Sequence, residues 1–268
     1  MHHELDWEYP GDEWLRGQIA AGADLEARYG PFNETPLLVA TRRRRLEAVE
    51  ILLEAGADAE ARNHGDKTAW QHAVRRGFTE TAAALMVHGV STALTPADRL
   101  AVACSMRDLQ AARDVLAEHP GAARTGNPEE DRLLADMAGR DAAAFVTLLI
   151  DAGADVAAPG LDGGTPLHQA CWFGQPEMAR ILVAAGAPLD VFDPVHEASP
   201  IGWVTHGSRY SGGADERQEA YVQLAEIVTG AGCSFRYPGD DTDAYLQRLL
   251  RDATPPVARV IRAAADKA

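Results

Sequence analysis

Four short segments of this chain are near copies of one another: AAGADLEAR at 20–28, EAGADAEAR at 54–62, DAGADVAAP at 151–159 and AAGAPLDVF at 184–192. Their glycines repeat at 34 residues from Gly22 to Gly56, and at 33 from Gly56 to Gly89 and from Gly153 to Gly186. A second ladder runs in phase with the first, at spacings of 30 to 34, through segments beginning at Thr35, Thr68, Asp98, Arg132, Thr165 and Ser199. Two ladders in register at that period require small units stacked in a row, each completing its neighbour's apolar core.

The chemistry of one unit defines its shape. Thr35-Pro36 and Thr165-Pro166 place a hydroxyl N-cap ahead of a proline in the first helical turn, where a missing N–H costs nothing. LEAVEILLEAG (46–56) and PEMARILVAAG (176–186) then carry apolar residues at helical spacing, closed by a glycine suited to a left-handed C-cap. Polar, turn-rich stretches such as ADAEARNHGDK follow, suited to a hairpin-like loop leading into the next Thr-Pro. Ala40, Ala73 and Ala170 on the first helix are small enough for neighbouring units to stack closely.

With these residues in hand, the chain resembles the ankyrin-repeat family. The family's TPLHxA signature stands intact at Thr165-Pro166-Leu167-His168-Gln169-Ala170, with looser forms TPLLVA at 35–40, TAWQHA at 68–73 and SPIGWV at 199–204. The resemblance covers about Trp14 to Cys233. It implies an all-α solenoid of helix-turn-helix units, with hairpin loops at right angles and a concave face formed by loops and first helices. The expected organisation is a single domain of about six repeats between caps. Residues 1–34 form an N-terminal half unit, 35–67, 68–97, 98–131, 132–164, 165–198 and 199–236 the repeats, and 237–268 a cap of two helices broken at Thr254-Pro255-Pro256. The Asp98 unit departs from the pattern, lacking Thr-Pro and the closing glycine. The last unit carries about 12 extra residues around SRYSGGADERQE, since Gly232 falls 33 residues after Ser199 where Gly186 falls 21 after Thr165.

In this family, partner contacts commonly fall seven and eight residues after the Thr of TPLH, on the concave face. That offset selects Arg42 and Arg43, Arg75 and Arg76, Ser105 and Met106 with Arg107 next, Gly139 and Arg140, Trp172 and Phe173, then His206 and Gly207. A chain of net charge −15 is expected to scatter its few cations rather than align them. Arg42-Arg43-Arg44-Arg45 is a run of like charge that an anion would relieve, and guanidinium groups suit carboxylates and phosphates. A helix C-terminus attracts cations without any partner, so Arg75 or Arg107 taken singly has a structural reading as well. Trp172-Phe173 reads as apolar anchors, since two successive rings cannot face the same way on a helix and aromatics are favoured at binding sites. The expected function is a protein-interaction module that takes an acidic partner or anionic ligand on Arg42, Arg43, Arg75, Arg76, Arg107 and Arg140, with Trp172, Phe173 and His206 at the apolar end.

The alternative is a small-molecule or enzymatic site at the Trp172/His206 end. GWVTHGSRYSGG (202–213) resembles a GWxxHGS variant of some bacterial ankyrin proteins, and its glycine-flanked insertion has the composition of a lid. Catalysis there would use His206 as acid or base, Ser208 or Tyr210 beside it, and Arg140 to stabilise negative charge. No nucleophile elbow, zinc motif or phosphate loop supports this, and no cofactor or metal is expected. His168 is assigned a structural role, because the family's histidine bonds backbone in the adjoining loop. The charge argues against nucleic acid and anionic membranes. Cys104, Cys171 and Cys233, odd in number and far apart, fit a reducing compartment. Absence of an apolar leader or membrane span leads to the expectation of a soluble, cytoplasmic protein, and a monomer is expected.

Overall fold

The computed structural model describes residues 1–6 and 8–267. Regular elements among them are helical, and β pairing is limited to isolated bridges, Tyr29 with Glu34 and Arg62 with Thr68, where the loops fold back. The chain divides into two compact units, residues 1–122 and 123–268.

In the first unit, α1 (His2–Asp6) and α2 (Asp12–Ala20) precede three helix pairs: α3 (Pro36–Arg42) with α4 (Leu46–Glu54), α5 (Ala69–Arg76) with α6 (Thr79–Val87), and α7 (Pro96–Ser105) with α8 (Leu109–Glu118). Each first helix starts at a threonine whose hydroxyl accepts an amide three residues on: Leu38 N on Thr35 at 3.4 Å, Gln71 N on Thr68 at 3.3 Å and Asp98 N on Thr95 at 3.1 Å. Thr68 with Gln71 and Thr95 with Asp98 are complete capping boxes, satisfying two otherwise orphaned amides each. The unit expected to begin at Asp98 without a Thr-Pro therefore begins a turn earlier, at Thr95-Pro96. Its helix is longer at the N-terminal end, which hid the motif from a search at constant register.

First helices pack on first helices (α1, α3, α5, α7) and second on second (α2, α4, α6). Ala40 and Ala73 are fully buried in the first row, against Leu37, Leu38, Val49, Leu52 and Leu85. The aspartates of the Gly-Ala-Asp motif accept an amide two residues on, Glu26 N on Asp24 and Glu60 N on Asp58. Those glutamates in turn reach the next loop, Glu26 to the Asp58 amide and Glu60 to the Ser91 amide. The repeated motif is thus a turn and a tie to the following unit. Its glycine is required by the backbone: φ is 89° at Gly56 and 86° at Gly153, a region that L side chains rarely enter.

The second unit contains α9 (Pro128–Asp131), α10 (Leu133–Ala138), α11 (Ala143–Asp151), α12 (Pro166–Trp172), α13 (Pro176–Ala184), α14 (Pro200–Tyr210), α15 (Gln218–Gly230), α16 (Ala244–Asp252) and α17 (Pro255–Ala265). One row runs α10, α12, α14, α16 and the other α11, α13, α15, α17. At α14 the cap comes from α16: the Ser199 amide donates to the Tyr245 hydroxyl at 3.0 Å, and the Ser199 hydroxyl lies 2.8 Å from the same oxygen.

The inserted residues do not form a lid. They lengthen α14 to Tyr210 and make a 3-10 turn (Asp215–Arg217) into α15. Gln218 donates to the carbonyls of Ser208 at 2.7 Å and Ala214 at 3.0 Å, and Arg209 holds the Ala253 carbonyl at 2.8 Å. Tyr221 donates to the Trp172 carbonyl at 2.7 Å while its hydroxyl also contacts Ser211. These ties hold the segment to α14, α15 and the α16–α17 junction.

Candidate functional site

The aligned arginines are largely structural. The Arg42 side chain, 6% exposed, lies 3.1 Å from Asp6 and 2.9 Å from Glu34, so it clamps α3 to α1 and to its own loop. Arg43 meets the same Asp6 carboxylate. Burial raises the Asp6 carboxyl, but hydrogen bonds from Arg42 and Arg43 outweigh it and hold the group below its ordinary value. Arg75 repeats the device with Asp98 of α7 at 2.7 Å, where Lys67 adds a second cation at 2.9 Å. Asp98 is fully buried; the desolvation that would raise its pKa is overcome by the Lys67 and Thr95 bonds together with Arg75. These pairs correct the partner-binding role assigned to Arg42 and Arg75: successive repeats place an acid where it meets the arginine. Arg76 contacts His72, one turn back. Arg107 is exposed, in a left-handed conformation at φ 58°, and Arg140, in the second unit, is also exposed.

The second unit contains a cavity of about 400 Å³ beside Trp172 and Phe173. Trp172 and Phe173 come from the end of α12, Trp203, Thr205 and His206 from α14, and Leu249, Arg248 and Asp252 from α16. Asp162 and His196 enter from the loops preceding α12 and α14. The aromatic wall is continuous. Trp172 stacks on His206 at 5.7 Å and meets Trp203 edge-on at 6.1 Å, and Trp203 meets His196 edge-on at 5.7 Å. Phe173 is 39% exposed and covers Gly139, where a β-carbon would stand 2.7 Å from the ring.

Buried groups behind the wall fix it. The Trp203 indole donates to Asp193 at 2.8 Å, and Asp193 also accepts the amides of Val195, His196 and Ala198. Burial pushes the Asp193 carboxyl up, and these four donors together hold it below the usual carboxylate range. His168, fully buried, receives the Thr165 amide on Nδ1 at 3.1 Å and reaches the Ala198 carbonyl with Nε2 at 3.1 Å. Desolvation lowers its pKa to about 4, so it is a neutral strut between adjoining loops, the role expected for it.

The enzymatic set does not assemble. His206 alone of His206, Ser208, Tyr210 and Arg140 lines the cavity. Ser208 is buried, donating to the Thr205 carbonyl at 2.6 Å and accepting the Thr254 amide at 3.3 Å, which corrects its placement beside His206 in a catalytic set. Tyr210 is 62% exposed with its ring 4.5 Å from that of His206. Burial lowers the His206 pKa, opposed by Asp252 and assisted by His196 and Arg248. The described residues contain no group of three or more metal-ligating side chains, and no helix long and apolar enough to cross a membrane. The three cysteines are buried, and desolvation pushes Cys104 and Cys233 up to about 12, far from a reactive thiolate.

Trp203, Asp162, Arg248, Leu249 and Asp252 were not anticipated. Trp203 stands in the quoted SPIGWV segment, but the contact offset selects only the last turn of a first helix and Trp203 lies a turn earlier. The α16 residues carry, in the sequence, only the signature of an end cap.

Two ankyrin-repeat family models match the chain, one describing three copies over residues 13–95 and one describing many copies over 137–183. The chain carries ankyrin repeats. Among curated proteins it is similar to Protein PhlB of Serratia liquefaciens, 43% identical over 56 residues, a stretch covering 21% of this chain and 25% of that relative. Similar solved structures include the human ASB11 ankyrin repeat domain, 16% identical over 98% of this chain and 96% of that one, TM-score 0.38. An ankyrin repeat domain from Acinetobacter baumannii AYE is 20% identical over 87% and 97%, TM-score 0.34. Ankyrin repeats are in general protein-interaction modules, and the ankyrin helices here place an aromatic cavity on the row of first helices in the second unit.

Proposed function

We propose that this chain is a protein-interaction module whose partner seats a side chain in the aromatic cavity between α12, α14 and α16. The carrying observation is the cavity itself: about 400 Å³, walled by Trp172, Phe173, Trp203 and His206, with the insertion tied back rather than filling it. Binding hot spots favour Trp-lined pockets that exclude water around a single anchor. A wall braced by Asp193 and His168 needs little reorganisation to receive one. The acidic-partner reading rested on aligned arginines, and it is weakened by the burial of Arg42 and Arg75 in ion pairs of the chain's own. A small-molecule reading of the same cavity shares its walls but has no assembled reactive group to favour it.

The test is selection of peptides from a random displayed library on the whole chain, followed by titration against variants. Phe173→Ala and Trp172→Ala are expected to weaken the selected peptides by about tenfold or more, the cost of losing an aromatic anchor. Arg107→Glu and Arg43→Glu should leave them within about twofold. The reverse ranking would return the contact to the arginines.

A further inference from the structure

We infer that the group this cavity recognises is a cation, the guanidinium or ammonium of an arginine or lysine on a basic partner, held between Asp162 and the aromatic wall. The inference rests on the proposed interaction site and specifies its chemistry. Three formally charged residues line the cavity: Asp162, Arg248 and Asp252. Arg248 is already spent, donating to the Tyr237 hydroxyl at 2.9 Å, to the carbonyls of Glu197 at 3.3 Å and His196 at 3.1 Å, and lying 3.7 Å from Asp252. Asp252 has that cation and Arg251 at 3.1 Å. An incoming carboxylate or phosphate would find the Arg248 fork occupied by backbone and neutralised.

Asp162 is differently placed. Its Oδ1 accepts the Gly164 amide at 3.3 Å and the Gln169 side-chain amide at 2.7 Å, both uncharged donors. Those bonds fix the carboxylate without cancelling its charge. Asp162 is exposed as a residue, yet desolvation of its carboxyl and the Asp193 charge push its pKa up, a cost that a bound cation would reverse. The same cavity is lined by Trp172, Trp203 and Phe173, ring systems that attract cations through their faces, Trp most strongly. His206 does not compete for the carboxylate as a cation at neutral pH, since burial keeps it below its ordinary value. At longer range, a chain of net charge −15 draws basic partners and repels acidic ones.

The experiment is an NMR titration of the full chain with four capped tripeptides, acetyl-Gly-Xaa-Gly-amide with Xaa arginine, lysine, leucine or glutamate. Indole signals of Trp172 and Trp203 and the amide of Phe173 are followed in wild type, Asp162→Asn and Phe173→Ala. Asparagine retains the acceptor for Gly164 and Gln169 and removes only the charge. The inference expects the arginine or lysine peptide to move these signals with an affinity about tenfold above the leucine and glutamate peptides, and Asp162→Asn to erase that preference. Leucine or glutamate binding as tightly as the cations, or an unchanged preference in Asp162→Asn, overturns the inference while leaving the cavity as the contact site. Failure of all four peptides to move the signals overturns it too, and the library-selected peptides then judge the cavity separately.

Discussion

Trp172 and His206, one from the end of α12 and the other from the middle of α14, stack with ring centroids 5.7 Å apart and planes 25° apart. Their helices carry successive copies of one sequence motif, so the stack is the repeat's contact position occupied by rings in place of arginine. It converts the groove of one helix row into a wall, and α16 closes the wall into a cavity. Within each unit buried carboxylates brace the helices, and substitutions at buried positions give clear outcomes.

Removing Asp98 should cost the first unit far more than removing either of its cations. Asp98→Ala removes the acid that both Lys67 and Arg75 meet in a buried site and abolishes a capping box, an expected loss of about 3–5 kcal/mol. Arg75→Ala leaves Asp98 its bond to Lys67 and should cost less. Urea denaturation of both variants measures the order, and equal losses would contradict a shared acid at the centre. Charge reversal at Arg75 is accordingly expected to act on stability before it acts on any partner.

Stability should fall as pH drops from about 6.5 to about 4. His168 has a folded pKa near 4 against an ordinary 6.5, so its neutral form belongs to the native state. Its contribution is therefore complete above the unfolded pKa and lost as pH falls toward the folded one, about 3 kcal/mol at full effect. Gln71 occupies the matching capping-box position three residues after Thr68, so His168→Gln borrows a solution this chain already uses. Denaturation midpoints across this range should slope in wild type and flatten in His168→Gln. A slope preserved in the variant would place the titration elsewhere. Below pH 4, Asp6, Asp98 and Asp193 take over, since each is held ionised below its ordinary value.

Gly202→Ala tests the join between α14 and the terminal helices. A β-carbon there would stand 2.6 Å from the Tyr245 hydroxyl and 3.0 Å from Ala198. The hydroxyl must leave Ser199, which loses its amide and side-chain partner together. A loss of about 1–3 kcal/mol is expected, with the tyrosine's near-ultraviolet circular dichroism altered. Tyr245→Phe, which drops the same bonds without the clash, should cost less than Gly202→Ala. The opposite order would contradict the packing described for α16.

The repeat period, the Thr-Pro starts and the glycine stops were legible because each depends on a residue type that few others can replace. The same reading placed His168 in its strut, since the motif and its bonding travel together. It missed the Thr95-Pro96 start, where an extra turn shifts the motif out of a fixed period. The arginine stripe was misleading for a different reason. Asp6 lies 36 residues before Arg42 and Asp98 lies 23 after Arg75, so no local pattern reveals that folding pairs them. The cavity was half visible: Trp172 and Phe173 stood out by register, while Leu249, Arg248 and Asp252 reach it only because α16 returns along the first-helix row.

The central claim, that the cavity between α12, α14 and α16 is the contact site, is tested most directly by backbone amide shift mapping of the whole chain with its tightest library-selected peptide. The account expects the largest changes at Trp172, Phe173, Trp203, His206 and Leu249. Changes confined to residues 42–45, 75–76 and 107, with the cavity signals unmoved, would contradict it.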